Sequence, residues 1–202
     1  MSLNYANNQS LSAITSLPAS VSGVALTLLE THTASSSATI DFTSNIDSTY
    51  DAYMFKFYNI HPATNTTNLQ INASTDGGSN YNATKTTTFF LAYHTEDDSG
   101  TALQYYTGRD LAQSTSAQQI VTIGNTDDDS ASGTLTLYNP SSTTFVKHFI
   151  SRQQAPTGEA TQNCKDTYVA GYFNTTSAIN AVQFSMSSGN IDSGVIKLYG
   201  IS

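Results

Sequence analysis

The side chains of this chain whose types could do chemistry are four histidines, one cysteine, many serines and two runs of aspartate. Zinc sites space their ligands roughly two to five residues apart, or one helical turn apart. His32, His61, His94 and His148 match neither pattern. His61 before Pro62 and His94 before Thr95-Glu96-Asp97 read as strand-end residues. Cys164 has no second cysteine to pair with, so the fold does not rest on a disulfide. A nucleophilic thiol needs a base and a setting that lowers its pKa, and Asn163 and Lys165 supply little of either. Cys164 therefore reads as inert.

The serines sit in no Gly-x-Ser-x-Gly elbow. Asp76-Gly77-Gly78 lacks the Lys-Ser/Thr and the helix start that cradle a phosphate, and reads as a turn. The acids gather as Asp97-Asp98 and Asp127-Asp128-Asp129. Asp favours turns because its carboxylate takes nearby backbone N–H groups. Asp127, Asp128 and Asp129 are also a weak calcium candidate, since calcium draws oxygen ligands from loops, but the Asp-x-Asp-x-Asp-Gly order is absent. The expectation is a non-enzymatic protein with no catalytic residues and no cofactor.

Recognition needs less than catalysis. A tyrosine offers area and a polar tip together. Tyr58, Tyr93, Tyr172 and the pair Tyr105-Tyr106 could stack on sugar rings, with Asp and Asn reaching the hydroxyls. Aromatic residues in strands are more often core, so Tyr105 and Tyr106, read here as loop residues, are the ligand-binding candidates.

Composition limits the partners. Lys and Arg number 7 against a net charge of −8, and nowhere cluster. Phosphate backbones and anionic membranes are held by clustered cations, so neither nucleic acid nor a membrane surface is expected. Charged residues are 11% of the chain, below the usual ~25%, and Ser, Thr and Asn do the solvent-facing work. With 12 Tyr and 9 Phe the chain has the aromatics that disordered chains lack. No apolar run reaches the ~20 residues that span a bilayer, and the first residues lack the basic and apolar regions of a secretory signal. The N-x-Ser/Thr sequons at Asn8, Asn65, Asn72, Asn82 and Asn174 read as chance in so Asn- and Thr-rich a chain.

The elements that must position any site are strands. Residues 1–22 show no sustained period and read as an extended arm. It is either a frayed terminus or a partner-docking arm anchored by Leu3, Leu11, Ile14 and Leu17. Residues 23–202 read as one β-sandwich domain. Ile40 and Phe42 alternate inward; Tyr53, Phe55 and Phe57 share one face, with Met54, Lys56 and Tyr58 on the other; Val182, Phe184 and Met186 share a third. Strands are also expected at 69–73, 86–93, 118–123, 133–138, 144–150, 168–173 and 194–200, with a polar loop over 151–166 and an ambiguous stretch at 101–117. Short strands between turn signals predict an all-β, antiparallel, jelly-roll-like sandwich with an extended N-terminal arm.

Several strings carry a family resemblance: SNIDSTYDAYMFKFYNIHPAT (44–64), TDGGSNYN (75–82), TTTFFLAYHTE (86–96), GTLTLYNPSSTTFVKHF (133–149) and SSGNIDSGVIKLYGIS (187–202). They resemble small virion or tail-fibre-like proteins of marine and other environmental bacteriophages. The likeness runs from about residue 26 onward and is most specific in Gly-Asn-Ile-Asp-Ser-Gly followed by Lys-Leu-Tyr-Gly. It carries over no site residues. It implies a component of the virion, assembled in the host cytoplasm, with other virion proteins as partners. Three placements follow. A tail-fibre or receptor-binding module would be a homo-oligomer, a trimer by preference, touching host surface glycans. A head decoration or cement protein would bind the capsid lattice through its arm. A free enzyme, such as a polysaccharide depolymerase, is the third and would show clustered carboxylates; a carbohydrate-binding module is a further alternative.

Overall fold

Period-two alternation decides the first pairing. In β3 (Ala52–Pro62) Tyr53, Phe55 and Phe57 are buried while Met54 and Lys56 are half-buried and Tyr58 is exposed. A strand with one apolar face must lay it against a second layer. In the computed structural model, which describes residues 26–126, 128–157 and 162–202, that layer is a second antiparallel sheet.

The remaining strands are β1 (Thr27–Thr33), β2 (Thr39–Phe42), β4 (Thr67–Ser74), β5 (Lys85–Thr95), β6 (Thr101–Tyr105), β7 (Gln118–Ile123), β8 (Ala131–Tyr138), β9 (Lys147–Thr157), β10 (Asn163–Phe173), β11 (Ala181–Met186) and β12 (Ile191–Ile201). One sheet has the order β1-β12-β3-β8-β9-β10-β5-β6 and the other β2-β11-β4-β7. Removing β5, β6, β9 and β10 leaves two four-stranded sheets, β1-β12-β3-β8 and β2-β11-β4-β7. That is the strand order of a jelly roll, the all-β sandwich expected from the sequence. The two hairpins β5–β6 and β9–β10 are insertions between its strands, and both extend the same sheet.

The core lies between the sheets. Phe184 of β11 is its hub, meeting Phe55 and Phe57 edge-on at 5.1 Å between ring centres and Phe42 at 6.1 Å. Edge-to-face packing sets the positive rim of one ring against the negative face of another. The inserted strands bury Phe89, Phe149, Val169 and Phe173 on the same side. Arg109, in a 3-10 turn at Thr107–Arg109, lies 5.0 Å over the Phe89 ring and donates to the Thr122 hydroxyl of β7.

Two sequence expectations are corrected. Residues 151–157 and 163–166, read as a polar loop, are strand: β9 and β10 pair from Lys147↔Phe173 to Thr157↔Asn163. Apolar alternation fades there because Ser151 and Gln153 occupy buried positions, where each donates to the Thr134 carbonyl of β8. Tyr105, read as a loop residue, is the last residue of β6, paired with Phe90 of β5. The ambiguous stretch 101–117 resolves into β6, the 3-10 turn and an irregular run tied to β5 through Lys85 and Thr87. The turn after β4 is as expected: Gly77 and Gly78 take positive φ, and Asp76, accepting from Asn80 and Ser74, is held down to about 2. Leu3, Leu11, Ile14, Leu17 and the arm boundary at residue 22 lie outside the described residues.

Candidate recognition face

The unequal widths of the sheets create the candidate site. An eight-stranded sheet faces four strands on its inner side, and among the described residues no second sheet packs on its outer side. Register places the outward residues in rows across the strands. One row runs Thr31, Lys197, Lys56, Thr134, Arg152, Tyr168, Phe90, Tyr105.

In the inserted half of this row three flat groups stack. The Phe90 and Tyr168 rings lie parallel, 2° apart, with centres at 4.8 Å. The Arg152 guanidinium covers the other face of Tyr168 at 5.1 Å. Arg152 is itself fixed by Asp166, Nε to Oδ1 at 3.0 Å and Nη2 to Oδ2 at 2.6 Å, and this pairing holds the Asp166 carboxyl below its usual range. Next to Phe90, the Tyr105 hydroxyl donates to Asp110 at 2.6 Å. Leu103 and Tyr105 are 75% and 60% exposed. The stack therefore presents ring edges to solvent, with the faces of Tyr168 already occupied.

Beside this stack is a shallow apolar groove of about 500 Å³. Ala170 is its floor, and Tyr172, His148, Ile150, Thr86 and Thr88 are its walls. Two depressions of about 370 Å³ flank Asp166 and Cys164, one toward Leu103 and His94 and the other toward Thr134 and Gln154.

Comparison with protein-family models, curated proteins and solved structures finds no match. The face has to be read from its own chemistry.

Of the predicted ligand residues, Tyr105 lies on the face and Tyr106 does not. Tyr106 packs edge-on against the inward Phe89 at 6.1 Å and beneath Arg109 at 5.5 Å, its hydroxyl donating to Gln104. Tyr106 follows the last residue of β6 and leads into the 3-10 turn, and its ring turns inward, so the two tyrosines part. Tyr58 and Tyr172 are on the outer face as well.

The acidic turn does structural work in its described part. Asp127 lies outside the described residues, and Asp128 is exposed. Asp129 is buried; its carboxylate accepts from Thr126 at 2.6 Å and Gln162 at 3.4 Å, and its carbonyl lies 2.6 Å from His61 Nδ1. Among the described residues no group of three or more His, Cys, Asp or Glu is placed to hold a metal ion.

One juxtaposition escaped the sequence. Cys164 and His94 are cross-strand partners, and His94 Nε2 lies 2.9 Å from Asp98. The order thiol, imidazole, carboxylate is that of a nucleophilic triad. The contacts differ: the Cys164 sulfur receives a hydrogen bond from Gln154 at 3.7 Å, and the imidazole–carboxylate pair stands well out in solvent. Only pairing between strands far apart in the chain could reveal it.

Proposed function

We propose that this protein is a non-enzymatic structural protein of a bacteriophage particle surface, of the tail-fibre or receptor-binding type, and that the outer face of its eight-stranded sheet is the recognition face. The observation that carries this reading is the direction of the two insertions. Hairpins β5–β6 and β9–β10 both widen one jelly-roll sheet, and their outward positions hold Phe90, Leu103, Tyr105 and Ile150 in the open. These side chains add nothing to the core. Apolar groups left together on a surface mark an interaction site more often than chance exposure does. The resemblance of most of the chain from about residue 26 onward to small virion or tail-fibre-like phage proteins supports the same placement. A trimer fits a fibre, because repeated symmetric contacts can form from one sheet face or edge.

The test is the composition of particles purified from a host infected by a phage carrying the gene. The chain should be present in fixed stoichiometry and digestible from outside. Its absence from washed particles contradicts the proposal. Its retention only when residues 1–22 are present favours attachment through the arm, as in a head decoration protein.

A further inference from the structure

Lys56 of β3 and Lys197 of β12 are direct cross-strand partners on the outer face. Such partners have Cβ atoms about 5 Å apart, and like charges there destabilise a sheet. The chain has only 7 cationic side chains and a net charge of −8, so carboxylates are plentiful. Yet His32–Glu30, His94–Asp98 and Arg152–Asp166 form ion pairs, while neither of these two lysines pairs with a carboxylate among the described residues.

Each ammonium instead covers a tyrosine on the opposite strand. Lys56 Nζ is 5.1 Å from the centre of the Tyr199 ring, and Lys197 Nζ is 5.5 Å from that of Tyr58. The two contacts run diagonally, one on each side of the lysine pair, so the four residues form a symmetric patch. Thr31 continues the row on one side, and Thr134 then Arg152 on the other. With strands about 4.8 Å apart, Arg152 lies roughly 10 Å from Lys56.

We infer that this row binds the carboxylate groups of an acidic polysaccharide, with Lys56 and Lys197 as the anion contacts and the hydroxyls of Thr31 and Thr134 as partners for sugar hydroxyls. The inference rests on the outer sheet face being the recognition face, and names its ligand class. A cationic pair on an acidic protein is matched by an anionic partner. Two free lysines are too few for a phosphate backbone, which is held by many cations at once. A neutral sugar stacks on open ring faces, and within this row Tyr168 is flanked by Arg152 and Phe90 while Tyr58 and Tyr199 each have a lysine over the ring.

The experiment is calorimetric titration of the full chain with hexamannuronic acid, with neutral mannohexaose and with a single-stranded DNA oligonucleotide, repeated with the K56M/K197M double variant. Methionine keeps the apolar stem and removes the charge, and an unchanged melting temperature shows that the variant folds. The acidic hexamer should bind at least about tenfold more tightly than the neutral one and lose about tenfold in the variant, and its binding should weaken with added salt. Equal binding of both hexamers, undiminished binding by the variant, tighter binding of DNA, or no binding of the acidic hexamer at millimolar concentration overturns the inference. None of these results bears on whether the chain is in the particle, which its composition decides separately.

Discussion

Lys85 and Lys147 stand on either side of Phe173 in the core, each its direct cross-strand partner. Both side chains are fully buried. Each donates to a single backbone carbonyl, Lys85 to Ser116 at 2.7 Å and Lys147 to Thr175 at 3.0 Å. Burial of an ammonium with so little compensation favours its neutral form. It pushes Lys85 down to about 8 and lowers Lys147 in the same sense.

That burial predicts a pH dependence. The folded Lys85 releases its proton near pH 8, and the unfolded one near ~10.4. Between the two, the unfolded chain binds the extra proton, so stability rises with pH, by about 3 kcal/mol for this group. Below the folded pKa both states are protonated and the penalty is constant. Urea midpoints should climb from pH 7.5 to 10, and Lys85→Met should raise the midpoint at pH 7.5 and flatten the climb. An equal climb in the variant would place its origin elsewhere.

Phe184 touches three other phenylalanines from the centre of the smaller sheet. Phe184→Ala should cost about 3–5 kcal/mol through lost contacts and the cavity left behind. Denaturant unfolding measures this.

Gly133 lies where β8 meets β9. A Cβ there would sit 2.3 Å from the Arg152 carbonyl oxygen and 2.8 Å from the Gln153 Cα. Both are backbone atoms, so the strands must separate. Gly133→Ala should destabilise by roughly 2 kcal/mol or more. Gly108→Ala, with nothing within 4 Å of its Cβ, should leave the denaturation midpoint nearly unchanged.

Arg152 and Asp166 are bidentate but solvent-exposed on the arginine side, at 63%. Arg152→Ala should therefore shift the denaturation midpoint only slightly. Asp166 titrates below its ordinary value when folded, so this contribution is present above pH ~4 and fades as pH falls through the lowered pKa. Comparing acid unfolding of the two proteins measures it.

The jelly roll was legible where one face of a strand is apolar and the other polar, as in β3 and β11. It was not legible in β9, where Ser151 and Gln153 take inward places and the alternation vanishes. Pro156 added to the misreading, but it lies past the end of β8, where β9 has one neighbour and a missing N–H matters less. The outer face was half legible. Tyr105 was singled out, while the Lys56–Lys197 and Cys164–His94 partnerships join strands distant in sequence, and local patterns carry no information about them.

The most direct test of the proposed recognition face is competition for host cells. Purified protein is added to cells before a phage carrying the gene, and adsorption is counted. The wild-type chain should block adsorption. The triple variant F90D/L103D/I150D, which alters only outward positions and is shown to be folded by its near-ultraviolet circular dichroism, should not. Equal blocking by the folded triple variant, or no blocking by the wild type, would contradict the account.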